Sequence, residues 1–283
     1  MIIFVSDASN LSKISSYGFA FGYLGGGILF LINALMTLNP EWFLLSNSAE
    51  AVRWSFLSVS VWWFVFLIPI SLTIVDRHGK SFSFRTIKQS FQQVFDTIQK
   101  VSHNKQIFLF LLAFFLYIDG VHTIMAMASD FALNLDLPSS AIIVGLILVQ
   151  FVAFPSTLMW AWLANKFSDR NILLVTIGLY LLIIAYSVNL SNAMEFYILA
   201  SLVGSVQGGI QAISRSFFAK LIPHEKSGEY FGFFNMFGRA GAFMGPAMVA
   251  IAVTVYPDPR VGLIPIALLF VLGGLMLLKV KKV

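Results

Sequence analysis

Apolar residues run along this chain in eight long stretches, each closed off by polar or charged positions. They cover residues 17–38, 52–75, 106–129, 141–163, 171–190, 196–218, 230–255 and 261–278. At ~1.5 Å of rise per residue, about 20 helical residues cross a hydrocarbon core of about 30 Å, so each stretch is predicted to be a transmembrane helix. Strands of a membrane barrel would alternate apolar and polar positions over about ten residues, and these runs do not. One polar segment interrupts the series. Between 81 and 106, Phe84, Ile87, Phe91, Val94, Phe95, Ile98 and Val101 share one helical face, while Arg85, Lys88, Gln92, Gln93, Gln99 and Lys100 take much of the rest. That pattern predicts an amphipathic helix lying on the membrane surface, basic enough to favour anionic headgroups.

Charges between the spans sort by sign, which tests the parse independently. Lys13 precedes the first span; Arg77, Lys80, Arg85, Lys88, Lys100 and Lys105 follow the second. Lys166 and Arg170 follow the fourth, Lys220 and Lys226 the sixth, and Lys279, Lys281 and Lys282 the eighth. The alternate loops hold Glu41, Glu50, Asp130, Asp136, Glu195 and Asp258 against only Arg53 and Arg260. Cytoplasmic loops collect Lys and Arg, so both termini are expected in the cytoplasm, at the inner membrane if the source is prokaryotic. Residues 1–5 form a short apolar stub followed by polar positions, which resembles the tail of an earlier helix and not a cleavable signal peptide.

Composition removes most other classes. Of 283 residues 58% are hydrophobic and 11% charged, against roughly 25% charged in soluble domains, so no water-compatible surface can be built. The expected class is an all-α membrane protein embedded in a lipid bilayer. The chain has no Cys, which excludes disulfides, thiolate nucleophiles and cysteine metal sites. Its net charge of +5 is spread between apolar runs and forms no single basic face, so it reports topology and not a nucleic-acid partner. There is no H-E-x-x-H and no phosphate-binding loop, and His78, His103 and His224 fall in loops. No enzyme activity, metal or cofactor is expected.

Small residues recur at packing distance: Gly18, Gly22 and Gly26 in the first span, Gly204 and Gly208 in the sixth, Gly241 and Gly245 in the seventh. Such faces let helix backbones approach closely. Polar residues at membrane depth carry more information, because an unpaired charge there costs at least ~2.5 kcal/mol. Asp119 is the one acid deep in a span, about 20 Å along its helix, with His122 and Thr123 on the same face. An acid beside an imidazole suits proton uptake and release; the alternative is a hydrogen-bond cluster that shapes the helix around Gly120. Gln150 lies within the fourth span. Gln207 and Gln211 stand one turn apart on the sixth, with Arg215 continuing their stripe, and Asn235 and Arg239 stand one turn apart on the seventh. Arg239, roughly 15 Å inside, needs an anionic partner, either Asp119 or an acidic group of a substrate. Arg215 sits near a helix end, where an ion pair with Glu229 or Asp169 is expected.

Two stretches resemble the vacuole-effluxer (autophagy-related) family of the major facilitator superfamily: residues 14–36, ISSYGFAFGYLGGGILFLINALM, and 204–245, GSVQGGIQAISRSFFAKLIPHEKSGEYFGFFNMFGRAGAFMG. FFLYIDGVHTI at 114–124 is similar to the first helix of that family's C-terminal half. AWLANKFSDR at 161–170, with Asp169 and Arg170, resembles the superfamily's G-x-L-A-D-R-x-G-R-R gating loop, but Asn165 stands at its acid and Ser168 at its second Gly. The resemblance implies twelve helices in two halves with a substrate site between them. By that correspondence residues 1–80 hold the last two helices of the N-terminal half, 81–105 the cytoplasmic amphipathic linker, and 106–283 the C-terminal six-helix half. The eight spans become helices five to twelve, and a four-helix N-terminal segment is the expected missing partner. The implied function is secondary transport of a small-molecule substrate, amino acids among the candidates; the Asp119 and His122 pair adds a coupled proton as a candidate. The rival reading is a non-transporting membrane scaffold or assembly partner.

Overall fold

The computed structural model describes residues 10–73, 99, 101, 103–223 and 226–281. Each predicted span is an α-helix: α1 (Leu11–Leu38), α2 (Ser48–Thr73), α3 (Lys105–Leu133), α4 (Ser139–Lys166), α5 (Asp169–Ser187), α6 (Ala193–Leu221), α7 (Ser227–Val255) and α8 (Leu263–Leu277). All eight spans are long and apolar enough to cross a membrane, the last counted with the preceding 3₁₀ turn Pro259–Gly262. Several helices overrun the hydropathy windows at their ends because polar caps extend them. Asn192 Oδ1 accepts from Glu195 N at 3.0 Å, and Glu195 Oε2 accepts from Ser191 N at 2.8 Å, a reciprocal box that starts α6. Asn47 and Glu50 build the same device at the start of α2. The acids that marked two loops by charge therefore also end helices. The amphipathic helix expected between 81 and 106, and the linker 81–105 built on it, fall almost wholly outside the described residues.

The chain forms two compact units, residues 1–24 with 96–283, and residues 25–95. In the second unit α2 has one buried residue, Ala51, and Phe56, Trp63, Phe64 and Leu72 are exposed along it. Ser58 Oγ donates to Asn33 Oδ1 at 2.9 Å, a polar tie between α1 and α2. With lipid tails as apolar as Leu, such ties and close packing hold membrane helices together, because burial from water gives no drive.

In the larger unit α4 packs along α6, α3 lies against α7 and α8, and α5 contacts α6 and α8. Glycines set the spacing. A Cβ on Gly204 would come within 2.7 Å of the Val149 carbonyl, and one on Gly273 within 3.0 Å of Tyr117. Between these seams Phe110, Phe114, Phe217, Phe218 and Phe234 form an aromatic core, with Phe114 and Phe234 stacked at 4.1 Å between ring centroids. The Gly18 and Gly22 face of α1 behaves differently: a Cβ at either would meet nothing within 4 Å among the described residues. Its spacing matches the glycine pairs of α6 and α7, but it carries no seam here.

Candidate functional site

Several polar residues lie near one depth. Counted from the lysine-bearing ends of their helices, Asp119 and Gln207 are about 21 Å in, and Tyr23 and Arg239 about 18 Å, close to the middle of spans of roughly 40 Å. They separate into three groups.

The first joins α1 to α6. Gln207 Nε2 and Gln211 Nε2 both donate to Tyr23 Oη at 3.2 Å. The Tyr23 ring lies over Gly208, where a Cβ would come within 2.9 Å of it and collide with Thr157. Nearer the lysine ends, Ser15 Oγ donates to the Ala212 carbonyl at 2.8 Å, and Ser12 Oγ meets Ser216 Oγ at 2.9 Å. These contacts make a polar seam down the two helices. Gln207 and Gln211 were expected in a site; Tyr23 was not, since a tyrosine in an apolar span is ambiguous until its neighbour is known. Gln150 is half-buried on α4 and makes no hydrogen bond among the described residues.

The second group is Asp119 with α7. Asp119 is fully buried; its carboxyl group faces the Gly245 backbone N–H and has no side-chain partner among the described residues. Its Cβ and Oδ1 face Gly241 and Gly245, and added Cβ atoms there would come within 3.2 and 2.9 Å of it. Thr123 Oγ1 donates to the Asp119 backbone carbonyl at 2.7 Å, so this hydroxyl serves its own helix. The His122 ring reaches the Gly238 backbone, and its Nδ1 is buried without a hydrogen-bond partner among the described residues. Of the two anionic partners open to Arg239, Asp119 is not taken: the two form no ion pair. Arg239 and Asn235 lie on the exposed face of α7, roughly opposite Gly241 on the helical circle, and Arg239 forms no ion pair among the described residues.

The third group closes the lysine-bearing end. Asp169, 1% exposed, pairs with Lys220 Nζ at 2.8 Å and lies 3.4 Å from the hydroxyls of Ser12 and Ser216. Asp169 therefore partners Lys220 and not Arg215, which is half-buried and forms no ion pair with Glu229 or any other described residue. Arg170 donates to the carbonyls of Leu277 and Leu278, at 3.2 and 2.5 Å, capping the C-terminus of α8. Ser168, the departure from the gating-loop pattern, accepts from Asn171 N and caps the start of α5. Breaking a buried ion pair costs roughly 3 to 5 kcal/mol. Asp169→Ala is expected near the lower end of that range, because Lys220 keeps 23% of its surface. Thermal unfolding in detergent measures the loss, and adding Lys220→Met is expected to recover part of it.

The eight apolar helices and buried polar seams are those of a multi-pass integral membrane protein of the major facilitator type. Residues 5–282 match the family model described as vacuole effluxer Atg22 like, and the chain belongs to that family. It is 34% identical over 277 residues to an uncharacterised MFS-type transporter, YxiO, of Bacillus subtilis, covering 98% of this chain and 65% of that protein. It is 29% identical to autophagy-related protein 22-1 of Penicillium rubens, over 94% of this chain and 49% of that one. Autophagy-related protein 22 of Yarrowia lipolytica is 25% identical over 89% of this chain and 47% of its own length. The chain thus spans between about half and two-thirds of the length of these relatives. Their names describe a transporter and autophagy proteins, and none describes an enzyme.

Proposed function

We propose that this chain supplies helices five to twelve of a secondary active transporter that moves a small solute by alternating access. The observation that carries the reading is a buried acid and a hydrogen-bonded Tyr23, Gln207 and Gln211 cluster near midspan in helices otherwise almost wholly apolar. Intramembrane polar groups are expensive, and in transporters they mark ion and substrate routes. Asp119 is the coupling-proton group. A buried carboxylate without a counter-charge is costly in such surroundings, so a proton on Asp119 would be tied to the state of the helices that enclose it. His122 and Thr123 flank it. Gln150, Gln207, Gln211, Asn235 and Arg239 are substrate contacts, Arg239 holding an acidic group. Amino acids, zwitterions with one carboxylate each, are the first substrates to test. Asp169, Arg170, Arg215 and Glu229 form the cytoplasmic gate and its supports.

Arg239→Gln is expected to weaken substrate binding without lowering abundance, since Arg239 has no ion-pair partner among the described residues whose charge would be stranded. Equal binding by variant and parent would remove Arg239 from the site. The termini and the segment between α2 and α3 are cytoplasmic in this account. A cysteine replacing Gln92, in the cysteine-free chain, should resist impermeant maleimide applied to intact cells; efficient labelling from outside would invert the topology. The 283-residue chain by itself is expected to insert but not to transport, because α2 buries only Ala51 and the glycine face of α1 is open. Saturable uptake by that chain alone in reconstituted vesicles would contradict this, and its absence from the full-length protein would favour a scaffold.

A further inference from the structure

The acid and the hydroxyl-amide cluster occupy different seams. Tyr23, Gln207 and Gln211 join α1 to α6, whereas Asp119 is enclosed between α3 and α7. The α3–α7 seam is tight at one level only because Gly241 and Gly245 present no side chain to the carboxyl group. The residue after Gly245 is Pro246, inside the helix. Proline donates no backbone hydrogen bond, so the ladder of α7 loses the bond to the Ala242 carbonyl where the seam holds the acid. A buried acid, a glycine-lined contact and an interrupted helix thus coincide within one turn.

We propose that the α3–α7 seam is a proton-gated joint: it closes on neutral Asp119 and parts to admit water when Asp119 releases its proton. This deepens the coupling role given to Asp119, and it puts proton exchange in a seam separate from the α1–α6 cluster. The ligand is a proton and not a metal cation. A hard cation needs about six oxygen ligands, and no group of three His, Cys, Asp or Glu side chains suited to a metal exists among the described residues. Other titratable groups on the packed elements do not neutralise the acid. His122 turns to the Gly238 backbone, and Arg239 on α7 and Arg215 on α6 form no ion pair with it among the described residues. Glu229 and Tyr230 lie three to four turns nearer the start of α7, and α8 contributes no ionisable side chain. Opening is therefore set by the charge on Asp119 itself.

Hydrogen–deuterium exchange on the 283-residue chain in lipid nanodiscs tests this without a substrate. Exchange of residues 238–249 is compared with that of 204–209, in the α4–α6 seam, from about pH 5 to about pH 9, which cancels the chemical pH dependence. One proton linked to opening predicts a ratio that rises by up to about tenfold per pH unit once Asp119 ionises. Asp119→Asn is expected to flatten the profile, as is Asp119→Leu, which serves if the Asn variant does not fold. His122→Gln is expected to keep it. A flat parent profile, a rise that survives loss of the acid, or a rise abolished by His122→Gln would overturn the proposal. A pH-gated seam in a protein whose Asp119→Asn variant still shows pH-driven transport would instead sink the coupling role alone.

Discussion

Asp119→Asn, in the chain completed by the N-terminal helices that the proposal calls for, is expected to reduce transport driven by a pH gradient to background while sparing exchange of substrate for substrate. The side chain is replaced by a neutral group of nearly the same shape, whose amide oxygen can still face the Gly245 backbone N–H. The seam against Gly241 and Gly245 should therefore stay closed, and the loaded carrier should still reorient. Net movement coupled to a proton needs the group to discharge on one side and recharge on the other, which an amide does not do. Exchange requires no net proton movement. If Asp119 only fills space between the helices, the variant will transport with the parent's pH dependence, and vesicle uptake with an imposed pH gradient separates the two.

Gly208→Ala should have a large structural effect for a one-carbon change. Its new Cβ meets Thr157 Oγ1 on α4 and the Tyr23 ring on α1, so one methyl pushes on two helices. Overpacking a close contact typically costs about 1 to 3 kcal/mol, and here the shift also breaks the geometry that brings both glutamine amides to Tyr23. Abundance in the membrane and melting temperature in detergent should both fall. Adding Thr157→Ala removes the hydroxyl and is expected to restore stability in part, leaving the displacement of Tyr23. Full stability of Gly208→Ala by itself would show that the seam is looser than its distances state.

Hydropathy made all eight helices readable because a span must satisfy its own backbone hydrogen bonds and keep an apolar surface for about 20 residues, and both demands are written locally. Gln207 and Gln211 were readable as a pair for the same reason, being one turn apart. Tyr23 was not, since its partners lie 184 and 188 positions away. The pairing of Asp119 with Arg239 failed on rotation: depth follows from counting residues, whereas which face of α7 meets α3 depends on packing between helices. Arg215 failed on a competitor, Lys220, which reaches Asp169 from one turn further along α6. The glycine repeats make the same point. Gly204 and Gly208 touch a neighbour's backbone or side chains, Gly18 and Gly22 touch nothing among the described residues, and the spacing is identical.

The most direct test of the central claim is counterflow in liposomes by the purified chain completed with the proposed N-terminal helices. Vesicles are loaded with an unlabelled amino-acid mixture, diluted, and given trace labelled amino acids outside. A carrier that alternates access predicts saturable, transient accumulation of label that is absent from empty liposomes and is retained by Asp119→Asn. Correctly folded protein that gives no saturable counterflow with amino acids, sugars, peptides or organic acids would contradict the transporter reading.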